Sequence, residues 1–320
     1  MQKTKIWCLG DAVVDLLPLE NKRYQACAGG APANVAIGIA KLGNCAGFIG
    51  RVGNDPFGHF MQETFTEYGV DCQYLEFDPN VKTSTVLVDL AKNGERSFTF
   101  LVSPSADQFL SQDAIPAFGA DILHFCSLAL VGKTCRTTLA NAIAKLKLSN
   151  GKISFDINLR EQMWDDKQEM REIINQFAKC ADILKLSDEE LFWLTESQDW
   201  AIALAKLDEL YPASLKIITK GSEGSIVVWK NHQYHYLAYK VNSIDTTGAG
   251  DAFVAGLLSS IAINGLPDNI AMIDTMISIA SACGALATTK KGALTALPDN
   301  NYLQQFISDN KTLDGRLIGQ

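Results

Sequence analysis

The chain has 320 residues, 47% hydrophobic and 20% charged, with a formal net charge of −8. This is the composition of a globular protein with ample apolar material for a core, and it excludes a long disordered segment. The negative balance excludes nucleic acid as a main partner, because phosphate backbones require a basic face, and the apolar runs fall short of the ~20 residues of a membrane span.

Residues 1–5 pass directly into a strand-like run, Ile6-Trp7-Cys8-Leu9, ended by Gly10-Asp11. The apolar stretch 12–17 is broken by Asp15, so no signal peptide is expected and the location is read as cytoplasmic. The turn Ala28-Gly29-Gly30 leads to a helix over 33–42, a strand over 47–50 and a helix over 56–68. From 70 to 102 short β runs dominate, at 72–77, 84–89 and 97–102, and the last two read as a hairpin about Lys92-Asn93-Gly94. The chain is read as one domain over 1–320, with a small β-rich lid built from about 11–30 and 70–103.

From about 121, strands at 122–126, 152–156, 183–186 and 215–219 alternate with helices at 134–147, 166–178, 188–194 and 200–210. That alternation predicts an α/β fold, a mostly parallel sheet with helices on both faces. A hairpin (225–230 with 233–238) and two long helices, 251–263 and 269–288, follow. Ligands bind beyond the carboxyl ends of strands in such sheets. Asp11, Asn158, Ser187 and Gly221 each follow a predicted strand and are expected to converge. The eight cysteines form no C-x-x-C pair, and no histidine stands at metal-ligand spacing, so they read as reduced thiols.

The strongest local signal is Asp245-Thr246-Thr247-Gly248-Ala249-Gly250-Asp251 ahead of an apolar helix. Gly248 and Gly250 permit close approach of a ligand, and the free N–H groups of a helix start attract an anion. Asp251 is suited to accept a proton from an attacking hydroxyl. A simpler reading makes Asp251 only a helix cap. The dinucleotide fingerprint fails, since Phe253 stands where its third glycine belongs, and the G-x-x-x-x-G-K-[ST] loop is absent.

Two stretches resemble the signatures of the PfkB, or ribokinase-like, carbohydrate kinases. One is Gly29-Gly30-Ala31-Pro32-Ala33-Asn34 through Leu42-Gly43 to Gly50-Arg51-Val52-Gly53-Asn54-Asp55-Pro56-Phe57-Gly58; the other is Asp245 through Asp251-Ala252-Phe253-Val254-Ala255-Gly256. The resemblance runs to about Pro298. Within the family, Gly10-Asp11-Ala12-Val13-Val14-Asp15, Gly94-Glu95-Arg96-Ser97-Phe98-Thr99-Phe100 and Phe155-Asp156-Ile157-Asn158-Leu159-Arg160 are most similar to bacterial fructokinases, with aminoimidazole riboside kinases sharing much of the pattern.

The resemblance implies a ribokinase-like fold and ATP-dependent phosphorylation of D-fructose. It makes Asp251 the catalytic base and Gly248-Ala249-Gly250 the anion hole. Asp11, Asp15, Gly29, Gly30, Asn34, Phe98, Phe100 and Arg160 fall to the sugar. For Phe98 and Phe100 packing against a dimer partner is the other reading, and for Arg160 a solvated surface position. Asn158, Lys185, Ser187 and the loop Thr219-Lys220-Gly221-Ser222-Glu223-Gly224 fall to ATP. Many members read N-x-x-E where this chain reads Ser187-Asp188-Glu189-Glu190, so a hydroxyl stands in place of an amide. Glu190 is implied to reach Mg²⁺ through water. Asp245, with backbone near Thr247, Ala287, Lys290 and Gly292, is implied to hold a monovalent cation, K⁺; some relatives add a serine where Ala296 stands. The remaining implied partner is a second copy of the chain, as a homodimer through the lid.

Overall fold

The computed structural model describes residues 3–90 and 96–318. In chain order the elements are β1 (Ile6–Leu9), β2 (Val13–Pro18), β3 (Tyr24–Gly29), α1 (Ala31–Lys41), β4 (Ala46–Gly53), α2 (Pro56–Glu67), β5 (Asp71–Asp78), β6 (Ser84–Leu90) and β7 (Arg96–Phe100). Next come β8 (Ile122–Cys126), α3 (Lys133–Leu148), β9 (Lys152–Asp156), α4 (Lys167–Ala178), β10 (Ile183–Ser187), α5 (Asp188–Thr195), α6 (Trp200–Leu210) and β11 (Leu215–Thr219). The chain ends with β12 (Ser225–Trp229), β13 (His232–Tyr236), α7 (Ala249–Asn264), α8 (Ile270–Ala287), α9 (Ala293–Ala296), α10 (Asn300–Asn310) and β14 (Arg316–Leu317).

The large sheet has the order β14-β13-β12-β11-β10-β9-β8-β1-β4-β5. From β11 across to β5 its neighbours pair in parallel, and β12, β13 and β14 add an antiparallel edge. Both faces are buried, as parallel sheets require. In β1, Ile6 and Cys8 enter the core under α1, α7 and α8, while Trp7 and Leu9 enter the core on the opposite face. Several helix starts are capped by short polar side chains. Asp55, Asp166, Asp199, Asn269 and Asp299 each accept a first-turn N–H.

A separate small sheet has the order β3-β2-β6-β7. This corrects the expected lid. Residues 71–78 form β5 and pair with β4 in the large sheet, so the small sheet comes from 13–29 and 84–100. The turn at Lys92-Asn93-Gly94 lies outside the described residues. The apolar runs need a second correction. Helix α8 is long and apolar enough to cross a membrane by length and composition, but it is over half buried and packs on α7 in the core. Neither α10 nor β14 was anticipated.

What draws β5 into the large sheet is Arg51 on β4. Its guanidinium meets Glu76 at 3.0 Å and Asp78 at 2.8 Å. Burial pushes the Asp78 carboxyl up, but N–H donation from Val81 and Asn80, together with Arg51, holds it below its ordinary value. The stabilisation is therefore present above about pH 4 and is lost as pH falls through the depressed pKa. Arg51→Ala leaves two partly buried carboxylates unpaired and is expected to cost roughly 1–3 kcal/mol near neutral pH. Urea unfolding reads this, and a midpoint equal to the parent's would show that β5 needs no such clamp.

Candidate active site

The C-terminal ends of β1, β8, β9 and β10 face the small sheet across a cavity of about 300 Å³. Strand ends supply Asp11, Cys126, Asp156, Asn158, Arg160, Lys185, Ser187 and Glu190. The small sheet supplies Val13, Asp15, Val86 and Phe100, and the starts of α1 and α7 supply Gly30, Asn34, Thr247, Gly248, Gly250 and Asp251. Phe100 alternates with Phe98 along β7, but the Phe98 side chain lies outside the described residues. Gly29 pairs with Val13 beside the cavity, and a Cβ there would lie 2.5 Å from Asp15 Oδ2. Gly30 has φ +97° and a Cβ would lie 2.6 Å from the Asp11 carbonyl, so only glycine fits this approach.

Asp251 is not the helix cap. Gly248 occupies that position and Asp251 is the third residue of α7, two residues further in than the sequence suggested. Its Oδ2 accepts a 2.8 Å hydrogen bond from Asn34 Nδ2. Withdrawal from water pushes its carboxyl above the ordinary aspartate range, and Asn34, Lys185 and Arg160 pull it part of the way back. In the first turn Ala249 N is taken by the Thr246 carbonyl, and the N–H groups of Gly250 and Asp251 beside the carboxylate are the donors placed for an anion.

Among the described residues, two acceptors in this cavity have no hydrogen-bond partner, Asp11 Oδ1 and Asn34 Oδ1, although both residues are buried. Unmet buried acceptors are costly and are matched by O–H or N–H donors of a ligand. Burial, then Asp107 and to a lesser degree Asp251, push the Asp11 carboxyl up to about 7 against the pull of Arg160. Arg160 itself is exposed at the rim, donating to the Leu159 carbonyl at 2.9 Å.

On the floor, Lys185 Nζ meets both oxygens of Asp156, at 3.0 and 3.1 Å. Burial pulls the Lys185 pKa down, but the carboxylates of Asp156, Glu190 and Asp251 outweigh it and hold it above the ordinary lysine value. Asn158 follows β9 with φ +38°, and its carbonyl accepts from Ser127 Oγ at 2.9 Å. Ser187 caps α5 in a reciprocal arrangement with Glu190. The Glu190 oxygens accept from Leu159 N and Ser187 N, each at 2.7 Å. Glu190 therefore braces two strand-end loops, and its remaining lone pairs suit contact through water better than direct ligation. Among the described residues no group of three or more His, Cys, Asp or Glu forms a metal cage.

A second cavity, of about 750 Å³, is lined by Thr219, Gly221, Ser222, Glu223 and Gly224 and by residues of 237–243, α7 and α8. It meets the first at Gly250. Ala249 lines it, but Lys220 does not: its ammonium pairs with Glu223 at 2.6 Å and sits 5.1 Å over the Trp200 ring. Behind α7, Asp245 Oδ1 accepts from Thr247 N and Oγ1 at 3.0 and 2.7 Å, and Oδ2 from Gly292 N at 2.9 Å. The carboxylate thus joins the loops assigned to the cation and fits a role beside one. Ala287 ends α8, and the Lys290 ammonium turns 5.9 Å over Tyr302, leaving only its backbone to face the loop.

Sequence reading missed Asp156, Cys126 and Gln162 in the first cavity, and in the second the 237–243 wall with Phe253, Ser281, Gly284 and Ala285. Asp156 had a usable signal, an acid closing a buried strand. The α8 residues had none, because small residues on an apolar helix look like packing.

Residues 3–300 match the pfkB family carbohydrate kinase. The chain belongs to the pfkB family of carbohydrate kinases. It is 48% identical to a fructokinase of Klebsiella pneumoniae, covering 95% of this chain and 99% of the relative. A double mutant of fructokinase from Vibrio cholerae O395, with fructose, ADP and potassium ion bound, superposes with a TM-score of 0.90 at 47% identity, covering 96% of this chain and 99% of that one. Aminoimidazole riboside kinase from Salmonella enterica, with aminoimidazole riboside and an ATP analogue, superposes at 0.88 and 37% identity over 95% of this chain and all of that one. The ribokinase-like expectation holds for the sheet, the flanking helices and the separate small sheet.

For a pfkB kinase, Asp251→Asn should fold normally and lose at least ~10²-fold in kcat; near-parental turnover would remove Asp251 from the chemistry. Asp11 gives a second expectation. Its folded pKa is raised, so native stability is fullest at low pH and falls as pH rises through about 7. Asp11→Asn should raise the melting temperature most at pH 8, by less at pH 5, where only part of the interval between the unfolded and folded pKa has been crossed, and weaken sugar binding at both. Equal shifts at the two pH values would show that the Asp11 charge is not what destabilises the fold.

Proposed function

We propose that this kinase transfers the γ-phosphoryl group of ATP to the 6-hydroxyl of D-fructose, releasing ADP and D-fructose 6-phosphate. The observation that carries the reading is the meeting of the two cavities at Gly250, with Asp251 on the side where buried acceptors lack partners. Sugar hydroxyls supply the donors that Asp11 and Asn34 lack, and the longer cavity takes the nucleoside and its phosphates.

The residues act in a definite order. Asn34 holds the Asp251 carboxylate toward the sugar, and Asp251 takes the proton of the attacking hydroxyl as that oxygen bonds to the γ-phosphorus. The first-turn N–H groups of α7 and the Lys185 ammonium face the developing charge on the phosphoryl oxygens. The bond to the β-phosphate oxygen breaks and ADP leaves. Phe100 and the small sheet exclude competing water. Mg²⁺, brought with ATP and reached through water by Glu190, supplies charge neutralisation when bound. The Asp245 loops suit K⁺ behind the anion hole. Leu19, Tyr24 and Leu101, exposed on and beside the small sheet, support a homodimer contact there.

A coupled assay over fructose, ribose, glucose and aminoimidazole riboside tests the reading. Fructose should exceed each of the others at least ~10-fold in kcat/KM, since a polar pocket strongly rejects a substrate lacking a required hydroxyl. Asp15→Ala should raise the fructose KM far more than the ATP KM. Preference for aminoimidazole riboside would move the assignment to that substrate, and equal activity in Na⁺ and K⁺ would withdraw the cation.

A further inference from the structure

We propose that the C-terminal segment 311–318 is a clasp that holds the two walls of the larger cavity at a set spacing and so determines nucleotide affinity; this rests on reading that cavity as the ATP site. One wall is the segment 237–243 after β13, and the other is α8. Nothing in the family signatures accounts for the clasp, since the family match ends at residue 300.

The segment is bonded to both walls. At the end of α10, Lys311 turns the chain with φ +65°, and its carbonyl accepts a 2.7 Å hydrogen bond from Tyr239 Oη. Tyr239 is a buried residue of the first wall, and its ring also meets Phe306 of α10 edge-on at 5.3 Å. Two residues later Leu313 N donates to Ser278 Oγ at 2.7 Å, and Gly315 N donates to Asp274 Oδ1 at 3.1 Å, both on α8. Asp274 Oδ1 also accepts from Tyr236 Oη at 2.7 Å, which ties α8 to the strand feeding the first wall. The segment then becomes β14 and pairs with β13, with Ile318 N donating to Gln233 O at 2.8 Å. One stretch of chain therefore staples α8 to β13 and Tyr239. The walls also meet directly, through Tyr236 Oη on Asp274, Tyr239 on Ser278 and Ile244 N on the Thr288 carbonyl, and the segment adds bonds to both from outside; a wall free to shift loses affinity through misplacement and ordering cost.

The test uses full-length Tyr239→Phe, Ser278→Ala and the pair. Tyr239→Phe removes the hydroxyl that reaches the Lys311 carbonyl and also meets Ser278, while Ser278→Ala, outside both cavities, keeps the Lys311 contact and removes the Leu313 one. Calorimetry with ADP and steady-state kinetics read the outcome. Tyr239→Phe should weaken the ADP Kd and ATP KM about threefold or more, and the pair about tenfold or more, with the fructose KM within twofold of the parent. A tail that only stabilises the fold would lower the melting temperature and leave the nucleotide Kd within twofold, which overturns the inference. If the pair does not fold, Tyr239→Phe alone decides. A parent protein that binds no ADP overturns the nucleotide reading itself, so the two failures are told apart.

Discussion

The hydrogen bond from Asn34 Nδ2 to Asp251 Oδ2 joins two helix starts that are 217 residues apart in the chain. Much else in the active site follows from that contact. It requires α1 and α7 to lie side by side in one core, which they do through Ala33, Ile37, Ala252 and Ala255 among others. It leaves Asn34 Oδ1 buried without a hydrogen-bond partner among the described residues, and it orients the Asp251 carboxylate. The N-terminal glycine loop and the C-terminal helix start are thus two halves of one cavity wall, whose groups hold each other.

The same crowding sets the electrostatics. Asp11, Asp156, Glu190 and Asp251 share one cavity with Lys185 and Arg160. Buried carboxylates cost stability when ionised, and here the cost is met in different ways. Asp156 is paired with Lys185, Glu190 is spent on backbone N–H groups, and Asp251 leans on Asn34. Asp11 is left with an unmatched oxygen and a pKa pushed up to about 7. A residue that is unfavourable to the free fold and favourable to a polyhydroxyl ligand is what a binding site built at the expense of stability contains. The positive φ of Asn158 at the adjoining strand end belongs to the same pattern.

Substrate enclosure is divided between two attachments to the large sheet. The small sheet covers the first cavity and enters the chain as loops after β1 and β5. The second cavity is bounded by the antiparallel edge and by α8, with residues 311–318 bonded across their outer surfaces. Under the proposed function this division suits a small enclosed sugar and an extended nucleotide along an edge.

The sequence by itself determined the alternation of strands and helices, the glycine turns and the Asp251 motif. These depend on local physics: hydrophobic period and φ preference. The family resemblance brought in Asp11, Asp15, Gly30, Asn34 and Arg160, all of which the fold gathers at one cavity. Only the tertiary structure decided the matters that depend on partners remote in sequence. Residues 71–78 read as lid because a short β run does not name its neighbour; Arg51 on β4 names it. For Asp251 the cap remained as a simpler alternative, because nothing local shows that Gly248 already occupies that place and that Asn34 meets the carboxylate. Lys220 belonged by motif to the nucleotide loop, yet Glu223 and Trp200 turn it away. Ser281, Gly284 and Ala285 of α8 gave no signal, because a helix face that lines a cavity and one that packs against a neighbour use the same small residues until the fold sets what stands opposite.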